Sequence, residues 1–159
     1  MSVFFFDTSA VVKRYIPEPG TTWIRSLCDK GDFNSIFISE IAVVEGAAAF
    51  ALLARRGIIS KRESQDAYER FLDDTERQYR MIGLTSTLVR AAAELTQHHP
   101  LKAYDAIQLA FGLHLNTLFH ANNQSLIFVT ADETLLQAAR AEGIATENPF
   151  DHRDLDTTQ

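Results

Sequence analysis

Ser125-Leu126-Ile127-Phe128-Val129-Thr130, running on into Ala131-Asp132, is the stretch that decides the fold. Its apolar centre shows no polar alternation and carries β-branched and aromatic side chains. That pattern predicts a strand covered on both faces, as in a parallel sheet. Val3-Phe4-Phe5-Phe6 near the start has the same character and also runs into an acid, Asp7. Two such strands with long amphipathic segments between them imply βαβ units.

Working outward, a helix is expected from about Ser9 to Tyr15, stopped near Pro17 and Pro19. Thr21 to Lys30 places Trp23, Ile24, Leu27 and Cys28 at helical spacing, with Gly31 as a stop. Ser35 to Ile38 is a second strand. Ser39 is expected to cap a long helix through Arg56, with Gly57 beyond it. Ser60 to Arg80 reads as a polar amphipathic helix opening on the capping-box pattern Ser60-x-x-Glu63. Met81 to Leu84 is a weak strand, and Thr85 to His98 a helix ending before Pro100. Tyr104 to Leu115 is a compact apolar helix, while His114 to Gln124 is polar and poorly patterned. Glu133 to Glu142 is a helix ended by Gly143, and Ile144 to Thr146 a last short strand. The expected fold is a three-layer α/β/α domain with a parallel sheet of about five strands. It spans residues 1–150, with 151–159 as a polar C-terminal tail.

Composition narrows the function. The chain has 159 residues, 46% hydrophobic and 23% charged, which suits one soluble globular domain. The single cysteine, Cys28, excludes an internal disulfide and a thiolate-rich zinc site. No apolar run approaches the length of a membrane span or a signal segment, so a cytoplasmic protein is expected, with no membrane contact. The net charge of -6 argues against a general nucleic-acid coat protein. It does not argue against a nuclease, whose carboxylates would themselves be the metal ligands. The histidines lack the H-E-x-x-H spacing, and no phosphate-cradling glycine loop or G-x-S-x-G elbow occurs.

In parallel α/β sheets ligands bind beyond the carboxyl ends of the strands. Asp7 directly follows one strand and Asp132 lies two residues past another. Asp105 opens an apolar helix, and Glu45 lies deep inside another, among Val43, Val44, Ala47 and Ala48. Each aspartate has a plainer reading as a helix cap, and Glu45 as a paired or solvent-facing residue. Glu40 is explained by its helix dipole. The set is what carries a functional reading, because clustered carboxylates repel unless a cation joins them.

The blocks around these acids resemble PIN-domain proteins of the VapC toxin type. Phe5-Phe6-Asp7-Thr8-Ser9-Ala10 through Tyr15, with Pro17-Glu18-Pro19-Gly20, is similar to the family's opening. Ile38-Ser39 with Glu45 is similar to its second motif, Leu101 to Ala110 around Asp105 to its third, and Phe128-Val129-Thr130-Ala131-Asp132 to its fourth. The blocks stand in the family's order and span nearly the whole chain. The resemblance implies a toxin that is a metal-dependent endoribonuclease, with Mg2+ or Mn2+ as cofactor. Its acidic set would be Asp7, Glu45, Asp105 and Asp132, and its supporting hydroxyls Thr8, Ser9 and Thr130. It further implies an RNA substrate and a VapB-type antitoxin partner covering the site; a homodimer is also expected.

Phosphodiester hydrolysis needs an activated water and neutralised phosphate oxygens, and hard divalent cations on carboxylates supply both. Asp7 and Asp105 are assigned as direct ligands; Asp132 and Glu45 are assigned to act through water or to orient the nucleophile. Lys13 and Arg14, just past Asp7, are candidates for the RNA backbone. Leu52, Leu53, Ile58 and Ile59 are core or part of a partner groove. One rival function is a haloacid-dehalogenase-type phosphatase, which would need an Asp where Ser9 stands. The other is a catalytically silent PIN-fold module that docks a protein partner.

Overall fold

Strand β1 (Ser2–Phe6) lies in the middle of the sheet and explains the layers on either side of it. Successive side chains on a strand point to opposite faces. Phe4 and Phe6 accordingly enter one core and Val3 and Phe5 the other. The first core is closed by α1 (Thr8–Tyr15), α2 (Thr21–Asp29), α3 (Ile41–Arg55) and α4 (Lys61–Arg77). The second is closed by α5 (Ser86–His98), α6 (Ala103–His120) and α7 (Glu133–Ala141). The computed structural model describes residues 2–30 and 33–157.

The other strands are β2 (Asn34–Ser39), β3 (Arg80–Ile82), β4 (Leu126–Val129) and β5 (Ala145–Glu147). All pair in parallel, in the order β3-β2-β1-β4-β5. The result is the expected α/β/α sandwich with a five-stranded parallel sheet. Chain order runs outward from β1 through β2 to β3, then resumes at β4 on β1's other side. The crevice opens where this order reverses, at the carboxyl ends of β1 and β4. The Asp7 N–H donates to the Val129 carbonyl at 3.1 Å and closes the two strand ends together. No helix among the described residues is long and apolar enough to cross a membrane.

Three elements depart from expectation. Ser39 does not cap α3: it is the last residue of β2, fully buried, and Glu40 takes the cap position without a side-chain cap bond. The hydroxyl is diverted to Gln108 on the facing helix, 3.0 Å away. Helix α4 ends at Arg77, and Arg80 instead opens β3, where it pairs with Phe37 of β2. Burial of Tyr79 in the first core turns the chain back to the sheet at that point. Helix α6 continues to His120, five residues past Leu115. Phe111, Leu115 and Phe119 keep an apolar stripe at helical spacing, which the outward-facing His114, Thr117 and Leu118 obscure. The capping box of Ser60 and Glu63 forms as its pattern predicts. The expected stop at Gly31 lies outside the described residues. Residues 149–157, next to and within the expected tail, form a 3-10 helix packed on α2.

Candidate active site

Asp7 leaves β1 in extended backbone and caps α1, its Oδ1 accepting from the Ala10 N–H at 3.0 Å. The plain reading of Asp7 as a cap therefore holds, but it does not exhaust the residue. The same Oδ1 accepts from the Ser9 hydroxyl at 2.7 Å, and Oδ2 from the Thr130 hydroxyl at 2.9 Å. Only 4% of the residue is exposed. Burial pushes its pKa up to about 6, against those three hydrogen bonds, and the nearby charge of Glu45 raises it further. A carboxylate held this deep, in this company, is costly when ionised and without a cation.

Glu45 reaches the same place from α3. Its Oε2 accepts from the Thr8 hydroxyl at 2.7 Å and from the Gln108 amide at 2.6 Å. Gln108 also donates to Thr8 Oγ1 at 3.1 Å and accepts from Ser39. This amide is 2% exposed and joins β2, α1, α3 and α6 at the head of the sheet. Sequence reading passed over Gln108. The available signal was a polar side chain inside the otherwise apolar run Ala106 to Phe111, one helical turn beyond Asp105.

Asp132 caps α7, accepting from the Leu135 N–H at 2.8 Å, and its own N–H donates to Thr130 Oγ1 at 3.0 Å. Asp105 lies in the first turn of α6, where Lys102 holds the cap position. Its pKa is raised, first by partial burial and then by the charge of Asp132; the Lys102 side chain and N–H oppose this. The acids thus fall into two mutually repelling couples, Asp7 with Glu45 and Asp105 with Asp132. Thr130 bridges Asp7 to the Asp132 backbone, while Gln108, on the same helix as Asp105, holds Glu45. Ser9 completes the frame by accepting from the Ala131 N–H at 2.8 Å.

Residues 4–141 match the PIN domain family. That is nearly the whole of the sandwich just described. The chain belongs to the PIN-domain family. Over 143 residues this PIN domain is 32% identical to ribonuclease VapC45 of Mycobacterium tuberculosis (strain CDC 1551 / Oshkosh), covering 90% of the chain and 93% of the relative. It is equally similar to ribonuclease VapC49 of M. tuberculosis (strain ATCC 25618 / H37Rv). Solved structures share the fold at lower identity. FitAcB from Neisseria gonorrhoeae superposes with a TM-score of 0.61 at 20% identity, over 92% of this chain and 98% of the other. VapBC2 from Rickettsia felis, bound to a promoter DNA fragment, gives 0.61 at 17% over 92% and 98%.

The donor set of this PIN domain is chemically suited to a hard divalent cation, since its acids offer only carboxylate oxygens. Among the described residues no three Asp, Glu, His or Cys side chains stand close enough to enclose an ion between them. An ion such as Mg2+ keeps several of its waters and takes only one or two carboxylates directly, so it does not require such an enclosure. His152 and His99 are engaged elsewhere, with Glu147 and Glu142.

Proposed function

We propose that this PIN domain is a metal-dependent endoribonuclease and the toxin of a toxin–antitoxin pair. The observation that supports this most is the state of Asp7. A carboxyl buried at the switch point of the sheet, held by two hydroxyls and an N–H, carries a pKa pushed up to about 6 beside a second acid. Fixed orientation at an energetic cost suits a ligand awaiting a cation better than it suits a cap. Asp7 and Asp105 would hold Mg2+ or Mn2+, with Asp132 and Glu45 acting through water or orienting the nucleophile. The ion supplies charge neutralisation for the phosphate and a more acidic attacking water. Thr8, Ser9 and Thr130 keep the carboxylates from rotating away, through the hydrogen bonds already described.

The protein relatives named VapC extend the proposal to a VapB-type antitoxin, and a homodimer in the cytoplasm is its expected setting. Leu52 and Ile58, exposed at the α3–α4 hairpin, offer such a partner an apolar landing place, whereas Leu53 and Ile59 pack on the core.

The test is cleavage of single-stranded RNA by the purified chain with Mn2+ and with chelator. Wild type should cut only with metal, and Asp7→Asn should not cut. Thermal melting gives a reading independent of cleavage. Mn2+ at a hundredfold excess over Kd should stabilise wild type by about 2.7 kcal/mol. Asp105→Asn should lose most of that gain, although Asn replaces Asp well near a helix start. A purified protein that neither cuts RNA nor responds to Mn2+ would point instead to a silent docking module.

A further inference from the structure

Lys13 and Arg14 are neighbours in sequence but the fold separates them. Arg14 turns away from the acids, bridging to Asp74 at 3.3 Å and donating to Gln78 at 2.5 Å, with its guanidinium over the rings of Tyr15 and Tyr79. Lys13 turns to the side of Thr8 and Ser9. It lines a cavity of about 280 Å³ together with Thr8, Ser9, Glu18, Leu52 and Ala131. Thr8 and Ser9 are the hydroxyls that hold Glu45 and Asp7. Among the described residues Lys13 is the sole cation in the lining of this cavity, and its side chain is only 9% exposed.

Burying a lysine is expensive, and long charged side chains usually snorkel to water instead. Here the ammonium is held inward by Glu18 at 3.0 Å, whose side chain is far more open at 36%. The loop carrying Glu18 is itself fixed. Thr21 Oγ1 accepts from the Glu18 N–H and donates to the Lys13 carbonyl, both at 2.9 Å. Asp156 of the C-terminal 3-10 helix accepts from the Gly20 and Thr22 N–H groups at 2.6 and 2.9 Å. Glu18 also sits between Pro17 and Pro19. A cation is thus presented in the same wall as the hydroxyls that hold Asp7 and Glu45, and its counter-ion is a partly open carboxylate that an incoming anion can displace.

We propose that Lys13 binds a phosphate of the RNA backbone next to the cleaved one, exchanging Glu18 for that phosphate, so that it positions the strand across the carboxylates. This rests on the nuclease reading above. In a chain of net charge -6, one cation placed beside the acids has a disproportionate effect on register.

The test measures binding of a fluorescein-labelled single-stranded RNA by anisotropy, in chelator to prevent cleavage, across a series of KCl concentrations. Loss of one phosphate contact makes the slope of log K against log salt shallower by about 0.7 for single strands. Lys13→Met should show that change, with a roughly five- to tenfold weaker Kd at low salt. Lys13→Arg should restore the slope. Glu18→Gln removes the same ion pair but keeps the cation, and should bind RNA as tightly as wild type or more so. If the pair is only structural, Glu18→Gln and Lys13→Met will melt lower together and leave the slope unchanged, and the proposal falls. An unchanged slope in well-folded Lys13→Met also overturns it and leaves the cavity to a protein segment. If wild type binds no RNA while Mn2+ still shifts its melting, both the nuclease reading and this proposal are lost. If Lys13→Met alone keeps the wild-type slope, the nuclease reading stands without it.

Discussion

Asp7 shows how one residue can cap a helix and still be held at an energetic cost. Its Oδ1 would satisfy the start of α1 with an ordinary pKa on an exposed surface; burial beside Glu45 raises that pKa to about 6. The folded value lies above that of the unfolded chain, so the native state keeps a proton that the unfolded state releases. Stability from this group is therefore greatest at pH below about 4, declines as pH rises through about 6, and stays reduced above that. The full penalty is on the order of 3 kcal/mol in the absence of a cation. Asp7→Asn removes it. Without metal, the variant is expected to melt above wild type at about pH 8 and to match it near pH 3.5, as the linkage requires. Thermal melting of both proteins over pH in chelator checks this. A constant gap across that range would mean that Asp7 titrates alike in the folded and unfolded chain and that its burial costs nothing.

Helix α6 both carries and aligns part of the candidate site, with Asp105 in its first turn and Gln108 one turn on. Its distance from the sheet is fixed by Gly112, where an added Cβ would meet Phe128 of β4 at 2.5 Å. Gly112→Ala should therefore push α6 off the sheet and destabilise the fold by roughly 1–3 kcal/mol. RNA cleavage should also fall at temperatures well below the melting transition, because Gln108 can no longer reach both Glu45 and Thr8. Retention of full cleavage in folded Gly112→Ala would show that α6 alignment is not limiting. Much of this element was legible in the sequence: its start, its apolar stripe and Asp105. The same holds for β1 and β4, whose uninterrupted apolar runs admit few alternatives. The end of α6 was not legible, because its outer face carries His114, Thr117 and His120 and resembles a loop. Nor was the use of Ser39, since a serine before an apolar run is a good cap by every local criterion. Only the arrival of Gln108 from sixty-nine positions away diverts it. The pairing of Asp7 with Glu45 and of Asp105 with Asp132 likewise depends on strand order, which no local pattern encodes.

At the scale of the whole molecule, the C-terminal 3-10 helix lies beyond the region matched to the PIN domain family, which ends at residue 141. It is nonetheless bound to the body of the protein at three points. His152 stacks on Trp23 with ring centres 4.1 Å apart, and its Nε2 lies 3.0 Å from Glu147 at the end of β5. Asp156 caps the start of α2 through the Gly20 and Thr22 N–H groups, where Gly20 has positive φ and no room for a side chain against Pro149. A charge-assisted pair of caps and an aromatic stack together contribute roughly 2 kcal/mol or more. In a chain of this size that corresponds to about 4–8 °C of melting temperature. Truncation after Asn148 should lower the melting temperature by that amount. It should also red-shift and quench Trp23 fluorescence, as the indole becomes exposed to water. The four candidate acids lie at the end of β1, on α3, on α6 and just past β4, none of which the segment contacts through the bonds above. The Mn2+-induced stabilisation should therefore survive truncation. The α1–α2 loop that holds Glu18 loses its outer clamp, so Lys13 keeps its charge but a less firmly held counter-ion, and RNA affinity should stay at the level of the whole chain or rise. An equal loss of both would mean that the segment supports the whole sandwich and not the loop alone.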